Sequence, residues 1–294
     1  MDRALSPSAR LCPTRSVSAG TIAVSVSNGL GNDMNIIVLV KQVPSTETKV
    51  RISSQTHLVD TSEIEWVVNP YDEYAIEMAL RLKEKLGQGT ITTVSAGPER
   101  VRTALRTTLA MGVDAAVHVH DPAYEGIDPL SLGRVLAAAV MRQPFDLVLC
   151  GKQAIDDDMA VVPQAVAHFL RIPHVAVVPE IELTAGSPDV IAHREVEGAT
   201  EIVHLRTPCL ISVQKGKHDP RYPTLKLMMA AKKKDIPVLG QAELGIDPAA
   251  LTRRLEFVGD SLPPGRKPGR KLEGEPAEVV PELVRLLRDE AKVI

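Results

Sequence analysis

The stretch LVLCGKQAIDDDMAVVPQAVAHFL (147–170) decides the fold. It opens as an uninterrupted apolar run of strand length, which reads as a strand buried on both faces. It closes with apolar residues at helical spacing. Between them lies a polar turn containing three consecutive aspartates, Asp156, Asp157 and Asp158. A strand passing through a polar turn directly into a helix is part of a βαβ unit, and the turn is where such folds place ligands.

The same alternation extends in both directions. NIIVLVK (35–41) is another continuous apolar run. NPYDEYAIEMALRLKEKLG (69–87) predicts a helix in which Asn69 caps, Pro70 suits the first position, and Asp72 and Glu73 favour the first turn. Ala75, Ile76, Ala79, Leu80 and Leu82 form its inner stripe, and Gly87 stops it. TITTVSAGP, ERVRTALRTTLAMG, AAVHVH, DPLSLGRVLAAAVMR, FDLVLC and HVAVV continue the strand–helix rhythm. The expectation is an α/β fold with a doubly wound, mainly parallel, Rossmann-like sheet. From 180 to 214, EIELTAG, DVIAHREVEG, TEIVHLRTP and CLISVQ alternate and are broken by Gly and Pro, which predicts antiparallel strands added to an edge. SLPPGRKPGRKLEGEP (261–276) reads as a linker, and AEVVPELVRLLRDEAKVI as an amphipathic helix with Pro281 inside it, whose apolar stripe needs a partner.

The expected division is an extension at 1–33, a nucleotide-binding domain at 34–240 and a C-terminal linker and docking arm at 241–294. Residues 1–33 are rich in Ser, Ala, Gly and Arg, with acids only at Asp2 and Asp33. They read as a disordered tail or an upstream start before Met34, which opens onto a strand; the alternative is a transit peptide. Cytoplasmic residence follows from the first reading and the mitochondrial matrix from the second.

Composition narrows the function. A net charge of −3 and a pI near 6.3 argue against general nucleic-acid or membrane-surface binding. Aromatics at 3% leave little for base-stacking platforms. Cys12, Cys150 and Cys209 show no CxxC spacing, which fits a reducing compartment. His118 and His120 share a strand face but lack a third ligand at plausible spacing, so they read as structural or surface residues. No GxGxxG or GxxxxGK[ST] run is present, and no nucleophile–base arrangement shows in the linear chain.

The polar strand exits do suggest a site: the end of 35–41, SAGP at 95–98, CGKQAIDDD at 150–158, and the helix start at Asn69, Pro70, Tyr71 and Asp72. Together they suit an adenine nucleotide, with backbone amides at helix starts holding phosphate. For the aspartates, a metal site would need further oxygen ligands, and neighbouring carboxylates on one turn cannot all reach one ion. Helix capping contributes about 0.3–1 kcal/mol per favourable charge but leaves Gly151 and Lys152 unexplained. In a nucleotide pocket Gly151 admits close backbone approach, Lys152 offers a cation, and the aspartates cap the helix or meet hydroxyls.

Several stretches in order, VKQVP…KVRI, NPYDEYAIEMALRLKE, SAGPER…TALRTTLAMG, DLVLCGKQAIDDD, DPRYPTLKLMMAAKKK and LEGEPAEVVPELVRLLRDEAKVI, resemble the electron transfer flavoprotein β-subunit family from Asn35 to Ile294. The resemblance implies a non-enzymatic electron carrier. Its α-subunit partner holds most of the FAD, dehydrogenases such as acyl-CoA dehydrogenases supply electrons, and a quinone oxidoreductase accepts them. It further implies a second nucleotide, AMP or a second FAD, contacted by Leu39, by Asn69 through Asp72, and by Ala96. The implied contacts continue through Gly151, Lys152, Gln153 and Ala154, then Ile155, Asp156, Asp157 and Asp158, and end at Met159, Ala160, Val161 and Val162. GKQAIDDD follows the AMP-type pattern, whereas Met159–Pro163 replaces its polar Asn-Gln-Thr run. Bifurcating relatives read DGDTAQVGP, from which Asp157, Met159, Val161 and Pro163 each depart. Phosphate binding would then rest on the backbone amides of 159–162. DPRYPTLKLMMAAKKK (219–234) resembles the family's recognition loop, with Leu225 as the exposed anchor beside Arg221 and Tyr222, and Glu195 falls where the family places an acid near the α subunit. Apart from any resemblance, 219–234 reads as a turn, a short helix and a solvated lysine run. The competing reading of the whole chain is a stand-alone adenine-nucleotide module of the universal-stress kind, which would be colourless and need no partner.

Overall fold

A computed structural model describes residues 34–251, 253–255, 258–266 and 268–294. The expected extension at 1–33 lies outside them. The chain forms two compact units, one of residues up to 48 with 64–257, the other of 49–63 with 258–294.

In the larger unit β1 (Asn35–Leu39) leads through a small antiparallel ladder, β2 (Gln42–Pro44) with β3 (Trp66–Val68), into α1 (Pro70–Leu86). Then β4 (Thr90–Ala96), α2 (Val101–Met111), β5 (Ala115–Val119), α3 (Pro129–Val140), β6 (Leu147–Gly151), α4 (Val162–Leu170) and β7 (His174–Val178) alternate. β8 (Glu180–Leu183), β9 (Asp189–Val196) and β10 (Ala199–Arg206) precede β11 (Cys209–Val213), α5 (Leu225–Lys233), β12 (Val238–Leu239) and α6 (Gln241–Leu244).

The main sheet has seven strands in the order β12-β5-β4-β1-β6-β11-β7. Every pairing within it is parallel. From β1 the chain winds outward through β4 and β5, and α3 then carries it back to β6 on the other side of β1. The carboxyl ends of β1 and β6 therefore open on a crevice where successive connections diverge, the usual ligand position in such sheets. Strand burial on both faces follows from the helices covering each. Ile36 and Val38 pack with Ile76, Leu80, Leu105 and Leu109 of α1 and α2. Their neighbours Ile37 and Leu39 pack with Val135, Leu136, Val166 and Leu170 of α3 and α4.

Two expectations for 180–214 need correction. β8, β9 and β10 form their own three-stranded antiparallel sheet rather than extending the main one. β11 is an interior parallel strand between β6 and β7, not an antiparallel addition. Its five residues CLISV are all buried, as for a strand covered on both faces, whereas β10 is largely exposed.

In the smaller unit Ile52 and Val59 form an antiparallel bridge, and the backbone N–H of Asp260 donates to the carbonyl of His57 at 2.8 Å. α7 (Pro276–Arg285), which contains Pro281, runs into a π-helical turn at Leu286–Glu290, and neither has a buried residue. Val280, Leu283 and Val284 are exposed. Among the described residues, no helix is long and apolar enough to cross a membrane.

Candidate functional site

At the carboxyl ends of β1 and β6 lies a cleft of about 300 Å³, within the range for small-molecule sites. Leu39, Ala96 and Cys150 floor it from three parallel strands, and Leu132 and Leu136, one turn apart on α3, form an apolar wall. Burial, with the Asp72 charge nearby, pushes the Cys150 thiol well above its ordinary pKa, so it packs as a protonated group.

The start of α1 is stitched to both strand ends. Asn69 occupies the N-cap position, but its side chain does not cap the helix. Instead its Nδ2 donates to the carbonyl of Gln153 at 2.9 Å, and its Oδ1 accepts the N–H of Ile155 at 3.2 Å. Asp72, expected to serve the helix dipole, accepts the N–H of Lys41 at 2.7 Å and of Gly151 at 2.8 Å. It thus ties the segment just past β1 to the last residue of β6. Burial pushes its carboxyl up to about 7 despite those bonds. Gly151 is required by this approach, since a Cβ there would stand 2.5 Å from Asp72 Oδ1 and 2.6 Å from Tyr71 Cβ.

The aspartate triplet does not cap α4, a second correction to the helix-start reading. α4 begins at Val162, and its N-cap Val161 offers no side-chain bond. Asp156 and Asp157 instead grip Lys41 Nζ at 2.7 and 2.9 Å. Burial works to lower the Lys41 pKa, but these hydrogen bonds outweigh it and hold the ammonium above its ordinary value. Asp158 accepts Gln153 Nε2 at 2.6 Å and lies in the left-handed region at φ 49°, as does Ala160 at φ 52°. The loop's shape is thus set by side-chain bonds to the strand ends and to itself. Lys152, the expected cation, turns away, 3.3 Å from Gln214 Oε1 and 5.0 Å from the Tyr71 ring. Lys41, rather than Lys152, is the lysine that lines the cleft, and its sequence signal was its position ending the first apolar run.

The starts of α3 and α4 also meet the cleft, and they differ. Asp128 fills that of α3, accepting Leu130 N and Ser131 N at 3.0 Å each. The amides of Ala160, Val161 and Val162, leading into α4, have no partner among the described residues. The α3 start thus carries its own carboxylate, whereas the α4 start leaves N–H donors free, the arrangement that suits an anion at α4 rather than at α3.

Of the expected contacts, Leu39, Asn69, Asp72 and Ala96 line the cleft, together with Gly151, Gln153, Ala154, Asp157 and Met159 through Val162. Pro70, Tyr71, Lys152, Ile155, Asp156 and Asp158 do not; they form the surrounding frame. Val40 and Lys41, at the strand exit marked in the sequence, also line it, as do residues 126–129, Leu132, Leu136, Pro163 and Leu255, none of which was expected as a contact. Among the described residues no group of His, Cys, Asp and Glu is placed to hold a metal ion. His118 and His120 stack 5.4 Å apart, and both bond the Gly97 carbonyl, at 2.9 and 3.1 Å, as a structural pair.

In the 219–234 segment Tyr222 is 94% and Leu225 76% exposed. Arg221, next to Tyr222, keeps about a third of its side chain exposed while it is also paired. Its guanidinium is tied to Glu77 at 2.8 Å and Glu84 at 2.6 Å, because α1 carries both carboxylates on the face beneath it. Glu195 is exposed and accepts a hydrogen bond from Gln214.

The family model described as "Electron transfer flavoprotein domain" matches residues 56–244. The chain is 42% identical over 262 residues to the electron transfer flavoprotein subunit beta of Bacillus subtilis, covering 89% of this chain and 100% of that protein. It is 36% identical over 258 residues to the subunit beta of Thermoanaerobacterium thermosaccharolyticum, covering 86% and 98%. The human subunit beta is 37% identical over 243 residues, covering 82% of this chain and 93% of that one.

Proposed function

The chain belongs to the electron transfer flavoprotein family, as a β-type subunit, and from that premise we propose that its cleft holds the AMP moiety of a nucleotide in an electron-carrying heterodimer. The family membership removes the alternative of a stand-alone universal-stress-type module. Carrier function requires no bond-making residue here, and electrons pass through flavin shared with or held mainly by an α subunit.

The observation that carries the nucleotide reading is the set of unpartnered amides at 160–162, on residues that line a cleft with an apolar floor. Phosphate sits at the α4 start, where N–H groups are left without partners and the dipole favours negative charge. The base lies against Leu39, Ala96 and the α3 wall. AMP suits a cleft of about 300 Å³. A second FAD is favoured by a separate feature, the half-exposed apolar rim of Met159 and Val161, which would cover a larger aromatic group. Denaturing the co-expressed heterodimer and separating the released nucleotides distinguishes them: equal FAD and AMP for the first, FAD alone at two per dimer for the second. Release of neither beyond one FAD rejects the nucleotide reading.

For partners, the exposed Tyr222 and Leu225 support docking of an electron-donating dehydrogenase, such as an acyl-CoA dehydrogenase, on the 219–234 segment. The unpartnered apolar stripe of α7 supports docking on the α subunit, with Glu195 a further contact. Onward transfer to a quinone oxidoreductase completes the proposed route.

A further inference from the structure

The 219–234 segment combines two properties that a passive surface loop does not need. Its middle exposes large apolar side chains, Tyr222, Leu225 and Met229. Both its ends are pinned. At the first, Arg221 Nε donates to Glu77 Oε2 at 2.8 Å, its Nη2 to Glu77 Oε1 at 3.1 Å, and its Nη1 to Glu84 Oε1 at 2.6 Å. The Arg221 backbone N–H adds a bond to Glu77 at 3.2 Å, and the Tyr74 hydroxyl lies 3.2 Å from Asp219. At the second, Arg106 donates to the carbonyls of Ala231, at 2.6 Å, and Lys234. Lys234 Nζ donates to the carbonyls of Val113 and Asp114 at 2.9 and 2.7 Å.

Glu77 decides the reading. It is 2% exposed in the middle of α1, and besides Arg221 its charge is met by Arg81 at 2.8 Å. A buried carboxylate is costly unless paired, and breaking such a pair strands the charge. A loop root fastened to one is therefore held in a single geometry. Arginine does this better than lysine because its planar fork fixes orientation as well as position.

We propose that Arg221 is a positioning residue: paired with Glu77 and Glu84, it holds residues 222–229 in docking geometry before a partner arrives. The proposal rests on the reading of this segment as the dehydrogenase-docking surface. A segment ordered in advance loses less conformational freedom on association, so the benefit lies in binding rather than in the electron-transfer step.

The test uses the intact heterodimer and an acyl-CoA dehydrogenase chosen because it reduces the wild type. Arg221→Ala should speed amide hydrogen exchange in 222–230 by about tenfold and raise the carrier concentration for half-maximal reduction by a similar factor. The saturating rate and flavin content should hold, and Arg221→Lys should fall between. Because Arg221→Ala leaves buried Glu77 with Arg81 as its one cation, the double variant Glu77→Gln/Arg221→Ala guards against misfolding and should show the same local exchange at a wild-type melting temperature. Leu225→Ala is the control: it should raise the half-maximal concentration without changing exchange. If Leu225→Ala has no effect on that concentration, the docking reading fails and the proposal with it. If Leu225→Ala acts but neither Arg221 variant changes exchange or half-saturation, the positioning role alone is overturned.

Discussion

Asp72 illustrates how one residue serves local and distant structure together. Its place in the first turn of α1 suggested dipole stabilisation, yet both oxygens are spent on the N–H groups of Lys41 and Gly151. Its titration is a consequence. In the unfolded chain aspartate titrates near ~3.9, whereas burial pushes Asp72 to about 7 in the folded protein. Between those values the folded state keeps a proton that the unfolded state has released. This contribution to stability is therefore complete below about pH 4 and is lost as pH rises through about 7. Asp72→Asn should be less stable overall, because its NH₂ must face one of the two backbone donors. It should also lack this pH slope. Across that window the wild type should lose on the order of a few kcal/mol more than the variant, each pKa unit being ~1.4 kcal/mol. Denaturant midpoints measured at several pH values check this; parallel curves for the two proteins would contradict the burial account.

At the scale of elements, the difference between the starts of α3 and α4 underlies the proposal that phosphate binds at α4. Asp128 supplies α3 with its own carboxylate, while α4 begins with the unpartnered amides of 160–162. Placing an acid there should separate folding from binding. Val161→Asp should leave the nucleotide-free chain as stable or better by about 0.3–1 kcal/mol, since a negative charge favours a helix start. The same charge should repel phosphate, so nucleotide retained through purification should fall at least tenfold. Retention equal to wild type would move the phosphate away from α4.

For the whole molecule, the core and the cleft both lie in the unit of residues up to 48 with 64–257. α7 and the turn after it bury nothing of their own. Deleting residues 261–294 should therefore leave far-UV circular dichroism of the core nearly unchanged and its melting temperature within a few degrees. Association with the α subunit should weaken at least tenfold, because the exposed Val280, Leu283 and Val284 lose their role. Undiminished assembly by the truncated chain would reject the arm as a docking element.

The amino-acid sequence by itself determined the alternating strands and helices, because apolar runs such as 35–41 and the striped helix at 70–86 are local patterns read from period and length. It also marked the strand exits where the cleft lies, because winding rules place them on one edge of a parallel sheet. The exposed Leu225 was legible through the resemblance of its motif. Tertiary structure alone decided which partner each polar group takes. Asn69, Asp72, Lys41 and Asp156–Asp158 sit where local rules foresee caps or ligands. Their side-chain bonds instead span 31 to 116 positions of chain, apart from the bonds of Asp157 to Met159 and of Asp158 to Gln153. It also decided that β11 inserts between β6 and the edge strand β7, because strand order depends on which strand edges can pair once the core closes. Such choices are set by closure of the three-dimensional core, and no window of sequence contains both halves of the contact.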